Sequence, residues 1–182
     1  MKYRVPGVLL MAAGLVLSAG SAIAAGNVND ADLAGKVRHE LVMYPRYTIW
    51  DEVNFRVCDG NVELMGAVSQ PIKKTEIEKL VRAIPGVTNV SDGLRVLPLS
   101  EFDSRLRIEV ARAIYGDPSF RQYAIMATPP VHIIVENGHV TLTGVVATGF
   151  EKSVAGIRAA GAGLSFGPVV NNLQVESPAR KS

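Results

Sequence analysis

Val53-Asn54-Phe55-Arg56-Val57-Cys58-Asp59-Gly60-Asn61-Val62-Glu63-Leu64-Met65-Gly66-Ala67-Val68 returns, without a gap, as Val131-His132-Ile133-Ile134-Val135-Glu136-Asn137-Gly138-His139-Val140-Thr141-Leu142-Thr143-Gly144-Val145-Val146, 78 residues further along the chain. Valines, two glycines and the central leucine coincide, while the residues between them drift. A packed scaffold keeps its core and turns and lets its surface change. A duplicated catalytic site would repeat its reactive side chains, and nothing reactive repeats here.

Each copy alternates apolar and polar residues on both sides of a two-residue turn. Asp59-Gly60 and Asn137-Gly138 are dipeptides that tolerate positive φ in a tight hairpin. Gly60, Gly66, Gly138 and Gly144 are therefore read as structural turn positions. Val53, Phe55 and Val57, with Val62, Leu64 and Val68 on the returning strand, define a covered face. Asn54, Arg56, Cys58, Glu63 and Met65 define a wetter one. This is the pattern of a sheet with helices on one side.

Helical periodicity flanks the hairpins. Leu33, Val37 and Leu41 recur at a spacing of four, as do Leu106, Val110 and Ile114. Asp32 is the expected cap of the first helix, and Asp103 or Ser104 that of its counterpart. Pro45 and Pro118 stop these helices. A second helix is expected over residues 71–83, with Ile77, Leu80, Val81 and Ile84 as its stripe. Its counterpart would use Phe150, Val154 and Ile157. Leu94-Arg95-Val96 and Asn171-Asn172-Leu173-Gln174-Val175 read as closing strands. The fold class is α+β: two tandem αββαβ units, each with two helices packed on one face of a three-stranded mixed sheet.

The ends read as an address and a tail. Lys2 and Arg4, the apolar run from Val8 to Leu17 and the small residues of Ala22-Ile23-Ala24 form a signal-peptide pattern, with cleavage after Ala24. The run is shorter than the ~20 residues of a spanning helix; an uncleaved anchor is the alternative reading. The expected organisation is a signal over 1–24, units over 25–98 and 99–178, and a tail over 179–182. The whole chain holds 19 Lys+Arg against 17 Asp+Glu; Lys2 and Arg4 leave with the signal, so the remainder balances at 17 against 17. That argues against nucleic acid as a partner, because such binding needs a broad positive surface. The single cysteine, Cys58, forms no internal disulfide, so each unit depends on core packing. A unit of ~70 residues buries only about 60% of its unfolded surface and is modestly stable.

The order and duplication of these motifs resemble the BON domain family, in the tandem arrangement of OsmY-like envelope proteins. Unit one carries Asp59-Gly60, Val62-Glu63-Leu64-Met65-Gly66-Ala67-Val68, Pro85-Gly86-Val87 and Gly93-Leu94-Arg95-Val96. Unit two carries Pro129-Pro130-Val131, Asn137-Gly138, Val140-Thr141-Leu142-Thr143-Gly144-Val145-Val146 and Asn171-Asn172-Leu173. It departs at Gly163-Leu164-Ser165-Phe166-Gly167-Pro168-Val169, where the family has a short P-G-V turn. The resemblance implies two helices on a three-stranded sheet, a periplasmic or outer-membrane-associated location, and non-enzymatic roles. Those roles are contact with phospholipid surfaces, envelope maintenance, osmotic-stress protection, and adaptor or chaperone-like contacts. It implies no catalytic residues and no cofactor.

His132 and His139 lie across one hairpin near Glu136, too few ligands for a closed zinc site, and His39 sits on a polar helix side, so no metal site is assigned. Cys58 has no histidine nearby in sequence to activate it. Tyr44, Tyr47 and Trp50 are read as covering one end of the sheet, or as an aromatic contact for lipid headgroups or a partner. Lys73 and Lys74 begin a solvated helix face. Arg105, Arg107 and Arg112 form a cleaner basic edge, the favoured candidate for anionic phospholipid. The insertion containing Tyr123, Ile125 and Met126 is read as a partner loop or as a lid on the sheet. Ile134 and Val145 make the outer sheet face of unit two greasier than that of unit one, where Arg56 and Ala67 stand. The expected partners are thus anionic phospholipid, through peripheral membrane contact, or other envelope proteins.

Overall fold

The computed structural model describes residues 29–176. The expected signal peptide, its cleavage after Ala24 and the tail lie outside the described residues. Unit one runs α1 (Asp30–Val42), β1 (Glu52–Cys58), β2 (Asn61–Val68), α2 (Pro71–Arg82) and β3 (Asn89–Val96). Unit two runs α3 (Glu101–Tyr115), a 3-10 turn (Pro118–Phe120), α4 (Arg121–Ala124), β4 (Val131–Glu136), β5 (His139–Val146), α5 (Gly149–Ala160), β6 (Val170–Asn171) and β7 (Gln174–Val175). In each sheet the middle strand pairs antiparallel with its hairpin partner. It pairs in parallel with the closing strand, which enters after the second helix of the unit. The fold is therefore the expected α+β tandem of αββαβ units.

The stripes of α1, α2 and α3 line the two cores as anticipated. Leu33, Val37 and Leu41 pack with Val62, Leu64, Val68, Ile77 and Val81 in unit one. Leu106, Val110 and Ile114 pack with Val131, Ile133, Val135, Val140 and Leu142 in unit two. Gly66 and Gly144, expected as turns, lie inside β2 and β5 at φ +119° and +107°, where a Cβ would lie 2.1 Å from the Glu52 carbonyl and 1.9 Å from that of Pro130. Only glycine lets those backbones approach.

The helix caps differ from expectation for a shared reason. Asn29 caps α1 and Ser100 caps α3, not Asp32, Asp103 or Ser104. The first-turn aspartates serve the hairpins instead. Asp30 accepts from the Asp59 and Gly60 amides at 2.9 and 3.2 Å. Asp103 accepts from the Asn137 and Gly138 amides at 2.9 and 2.7 Å. A carboxylate at a helix N-terminus, facing two further N–H groups, fixes each helix to its own turn.

The third strand of unit two is split, where an unbroken strand was expected. β6 and β7 each pair with β5, interrupted at Asn172 and Leu173. Asn171 turns inward, donating to the Lys152 carbonyl at 2.7 Å and accepting from the Leu173 amide at 3.3 Å. That local bonding competes with the ladder. The insertion folds into the 3-10 turn and α4, with Phe120 and Tyr123 buried.

The units are packed together, and the residues 47–51 join them. Asp51 is wholly buried, and five hydrogen bonds converge on its carboxylate. It accepts from the Thr48 amide and hydroxyl (2.9 and 2.6 Å), the Ser69 amide and hydroxyl (2.7 and 2.8 Å) and the Lys73 ammonium (2.6 Å). Burial alone would raise its pKa, but the bonds from Lys73, Thr48 and Ser69 outweigh burial and hold it below the usual carboxylate range. Lys73 and Asp51 thus form a buried pair, where Lys73 was expected on a solvated face. The ordered loop then presents Ile49, whose carbonyl accepts from the Ile133 amide at 2.7 Å. Ile49 and Trp50 pack against the core of unit two. Ala67, Leu97 and Ile134 form a small apolar cluster between the sheets, and Arg95 pairs with Glu136 beside it.

Breaking the Asp51–Lys73 pair strands a buried charge. Asp51→Ala is expected to lower unfolding free energy by about 3–5 kcal/mol, while Asp51→Leu combined with Lys73→Met recovers most of the loss in urea titrations. Because the folded pKa of Asp51 is depressed, its contribution is complete above the unfolded value of about 3.9 and disappears as pH falls through the folded one.

Candidate functional site

In unit two, α3 buries its expected stripe, but α5 is rotated relative to its sequence pattern. Phe150, Val154 and Ile157 were the expected inward stripe of α5. Val154 does pack against the core, half-buried, but the fully inward residues are Glu151, Ala155 and Ala159, and Phe150 and Ile157 stand 69% and 71% exposed. The first turn sets this rotation. Thr148 and Glu151 form a capping box, and the Glu151 carboxylate also accepts from the Ala147 amide and the Tyr123 hydroxyl, each at 2.9 Å. With Glu151 anchored inward, its neighbour Phe150 must leave the core. Ala155 and Ala159 then allow a close approach that larger side chains would prevent. A Cβ on Gly163 would fall 2.5 Å from a Glu109 carboxylate oxygen and 2.9 Å from a Leu106 methyl, which fixes the distance to α3 just beyond the helix. Leaving a Phe or Ile in water forgoes roughly 1.5–3 kcal/mol each.

Neighbouring groups extend this surface. Leu164, in the rebuilt turn, is 82% exposed. Phe166 stacks on Phe102 of α3 with ring centroids 4.9 Å apart. Leu164 also lines a shallow 280 Å³ groove with Phe102, Arg105 and Gly163. On α3 the residues Arg105, Ile108 and Arg112 are exposed at spacings of three and four, so two arginines flank an isoleucine along one outward line. The helix layer thus presents large apolar side chains with cations among them. The corresponding layer of unit one is more polar: Lys36, His39, Lys79 and Arg82 are exposed there.

The other candidate residues are dispersed. Arg107 turns to the sheet edge and donates to the Val135 carbonyl at 2.7 Å. Tyr123 is buried as the partner of Glu151, so it is a packing residue and not part of a loop contact. Ile125 and Met126 are exposed after α4. Val145 is exposed on the outer sheet face, but Ile134 is buried against Ala67 and Leu97 of unit one. The greasy outer face is therefore largely spent on joining the units. Cys58 is exposed, its sulfur 3.8 Å from the Asp59 carboxylate. Among the described residues no three His, Cys, Asp or Glu gather as metal ligands would, and no helix is long and apolar enough to cross a membrane.

His132 belongs to the junction. Its ring lies 5.3 Å from that of Tyr47, and its Nδ1 is buried with no hydrogen-bond partner among the described residues. Burial pushes its pKa down, against the opposing influence of the backbone at Asp51 and Thr48 and of the Asp51 and Glu52 charges.

Two sheet-and-helix modules, joined through one loop and presenting an apolar and cationic helix layer, define a protein of tandem αββαβ type. The chain belongs to the BON domain family, whose model matches residues 29–98 and 103–177. Members of the family are generally non-catalytic and typically envelope-associated. Among solved structures the chain is similar to the C-terminal domain of CdsD, the structural protein of the type III secretion system of Chlamydia trachomatis, and to a second structure of CdsD. Both share 18% identity with it at a TM-score of 0.32, over 80% of this chain and 65% and 61% of theirs. No curated protein matches the chain.

A histidine held neutral by folding contributes stability that is complete above its unfolded pKa of about 6.5 and declines as pH falls below it. The urea midpoint is therefore expected to drop between pH 7 and pH 5, and His132→Gln to remove most of that slope. An equal slope in the variant would place the titration elsewhere.

Proposed function

We propose that this is a non-enzymatic periplasmic protein that binds anionic phospholipid surfaces, in envelope maintenance or osmotic-stress protection, through the helix layer of unit two. The observation that carries this reading is the outward apolar stripe of α5. A folded domain that leaves Phe150 and Ile157 in water, with Leu164 and Phe166 exposed in the turn that follows α5, holds apolar area for another phase. Arg105 and Arg112 stand where an acidic headgroup layer would meet that area, each contributing about 1 kcal/mol near an anionic surface. Such a face enters the headgroup boundary without spanning the bilayer. Ile125 and Met126 are secondary contacts. Family membership supports the envelope setting, and the signal-peptide pattern over residues 1–24 supports export.

Vesicle flotation of the mature chain tests the proposal. Binding to phosphatidylglycerol-containing vesicles is expected at low salt, with little binding to phosphatidylcholine alone. Phe150→Glu with Ile157→Glu should abolish it. Arg105→Gln and Arg112→Gln should each weaken it about fivefold, in line with ~1 kcal/mol per cation, and flatten its salt dependence. Undiminished flotation of the Phe150/Ile157 double variant would defeat this reading.

A further inference from the structure

The two edge strands β1 and β4 are equivalent in register. Val53, Phe55 and Val57 oppose Gly66, Leu64 and Val62, just as Val131, Ile133 and Val135 oppose Gly144, Leu142 and Val140. In unit two all three edge residues are sealed. The Val131 carbonyl accepts from the Tyr115 hydroxyl at 2.5 Å, the Ile133 amide donates to the Ile49 carbonyl at 2.7 Å, and the Val135 carbonyl accepts from Arg107 at 2.7 Å. Each of the three is 0% exposed.

Unit one lacks every one of these plugs. The helices align at a constant offset of 73, from Leu33 with Leu106 to Leu41 with Ile114. Arg107 and Tyr115 therefore correspond to Ala34 and Val42, neither of which carries a polar group to offer a carbonyl. No described residue takes the part of Ile49 at Phe55. The Tyr47 hydroxyl accepts from the Val53 amide at 3.3 Å, and Val53, Phe55 and Val57 are only half-buried. An open groove of 610 Å³ lies in their place, between Ala34, Arg38 and Val42 of α1 and Val53, Phe55 and Val57 of β1, so its apolar lining carries a cation on the helix side.

We propose that this groove is a binding site for an extended peptide segment of a partner protein, one carrying adjacent aliphatic and aromatic side chains. The sister groove shows what fits. There the segment Ile49-Trp50 gives its carbonyl to the edge amide and packs both side chains against the core. A peptide added along β1 would give a carbonyl to the Phe55 amide and amides to the outward carbonyls of β1, while its side chains fill the groove. A strand edge that beyond Val53 has no partner among the described residues favours that occupant. An acyl chain would cover the same edge and leave its polar groups without partners, which is unfavourable. The matching segment of this chain is engaged in its own unit two and is not free to fill the groove.

The test uses the mature chain and a synthetic peptide, Arg-Tyr-Thr-Ile-Trp-Asp-Glu, copied from residues 46–52. Titration followed by amide NMR is expected to saturate, with shifts confined to α1 and β1 and exchange protection at Phe55 and Val57. Ala34→Arg and Val42→Tyr copy the plugs of unit two onto an open surface. Each should weaken binding by about tenfold, equivalent to ~1.4 kcal/mol, with the unfolding midpoint unchanged. Absence of saturation, equal affinity in both variants, or shifts at β4 in place of β1 would overturn the proposal. Self-association without peptide that Ala34→Arg abolishes would assign the groove to a second copy and overturn it too.

Discussion

The carboxylate of Asp51 orders the loop through which the two units are joined. Five donors converge on it from Thr48, Ser69 and Lys73. The pair with Lys73 would be costly if it were isolated in the interior. The hydroxyl and amide donors complete its bonding and turn a charged residue into the template of a loop. The loop then carries Ile49 to the edge of β4, and Trp50 to the core of unit two. The junction between two modestly stable units is thus made by backbone pairing and apolar packing, with a polar hub behind it. The ion pair between Arg95 and Glu136 is more exposed and adds little by comparison.

The duplicated units divide their tasks along the lines where they differ. Unit one has a polar helix layer and an open strand edge. Unit two has a sealed edge and a helix layer rich in exposed apolar groups. One change in α5 underlies much of the second contrast. Glu151 is drawn inward by Tyr123 and the Ala147 amide, and small residues occupy the next inward positions, Ala155 and Ala159. The larger residues are rotated out. The sheet below is sealed by Arg107 and Tyr115, residues whose counterparts Ala34 and Val42 leave the first sheet bare.

Much of this architecture is legible in the sequence because core positions and turns are constrained by geometry that repeats. The 78-residue spacing, the two turn dipeptides and the stripes of α1 and α3 all arise from backbone requirements. The face of α5 does not. Phe150, Val154 and Ile157 form a valid helical stripe, but periodicity reports that a helix is amphipathic and not which side is buried; alanines can pack a core as closely as larger groups. Tyr123 and Ile134 read as surface candidates because their partners, Glu151 and Ala67, are distant in the chain. The role of Asp51 is hidden for the same reason, since Lys73 lies 22 residues away and reads as part of a solvated helix start. The signal for α5 lay in Thr148 and Glu151, spaced as a capping box, beside alanines four residues apart.

The loop that seals β4 has a consequence for how the molecule is made. A chain emerges N-terminus first, from the ribosome or across a membrane, so all of unit one and its loop 47–51 precede β4. The first unit is then a preformed surface on which the second can close, much as a nascent strand is received by a waiting partner. The dependence runs one way. A fragment ending after β3 would keep its own core, whereas a fragment beginning at α3 would expose the Ile133 edge and Ile134 to its neighbours in solution. The boundary between the units in sequence is therefore not a boundary along which the folded protein divides into equal halves.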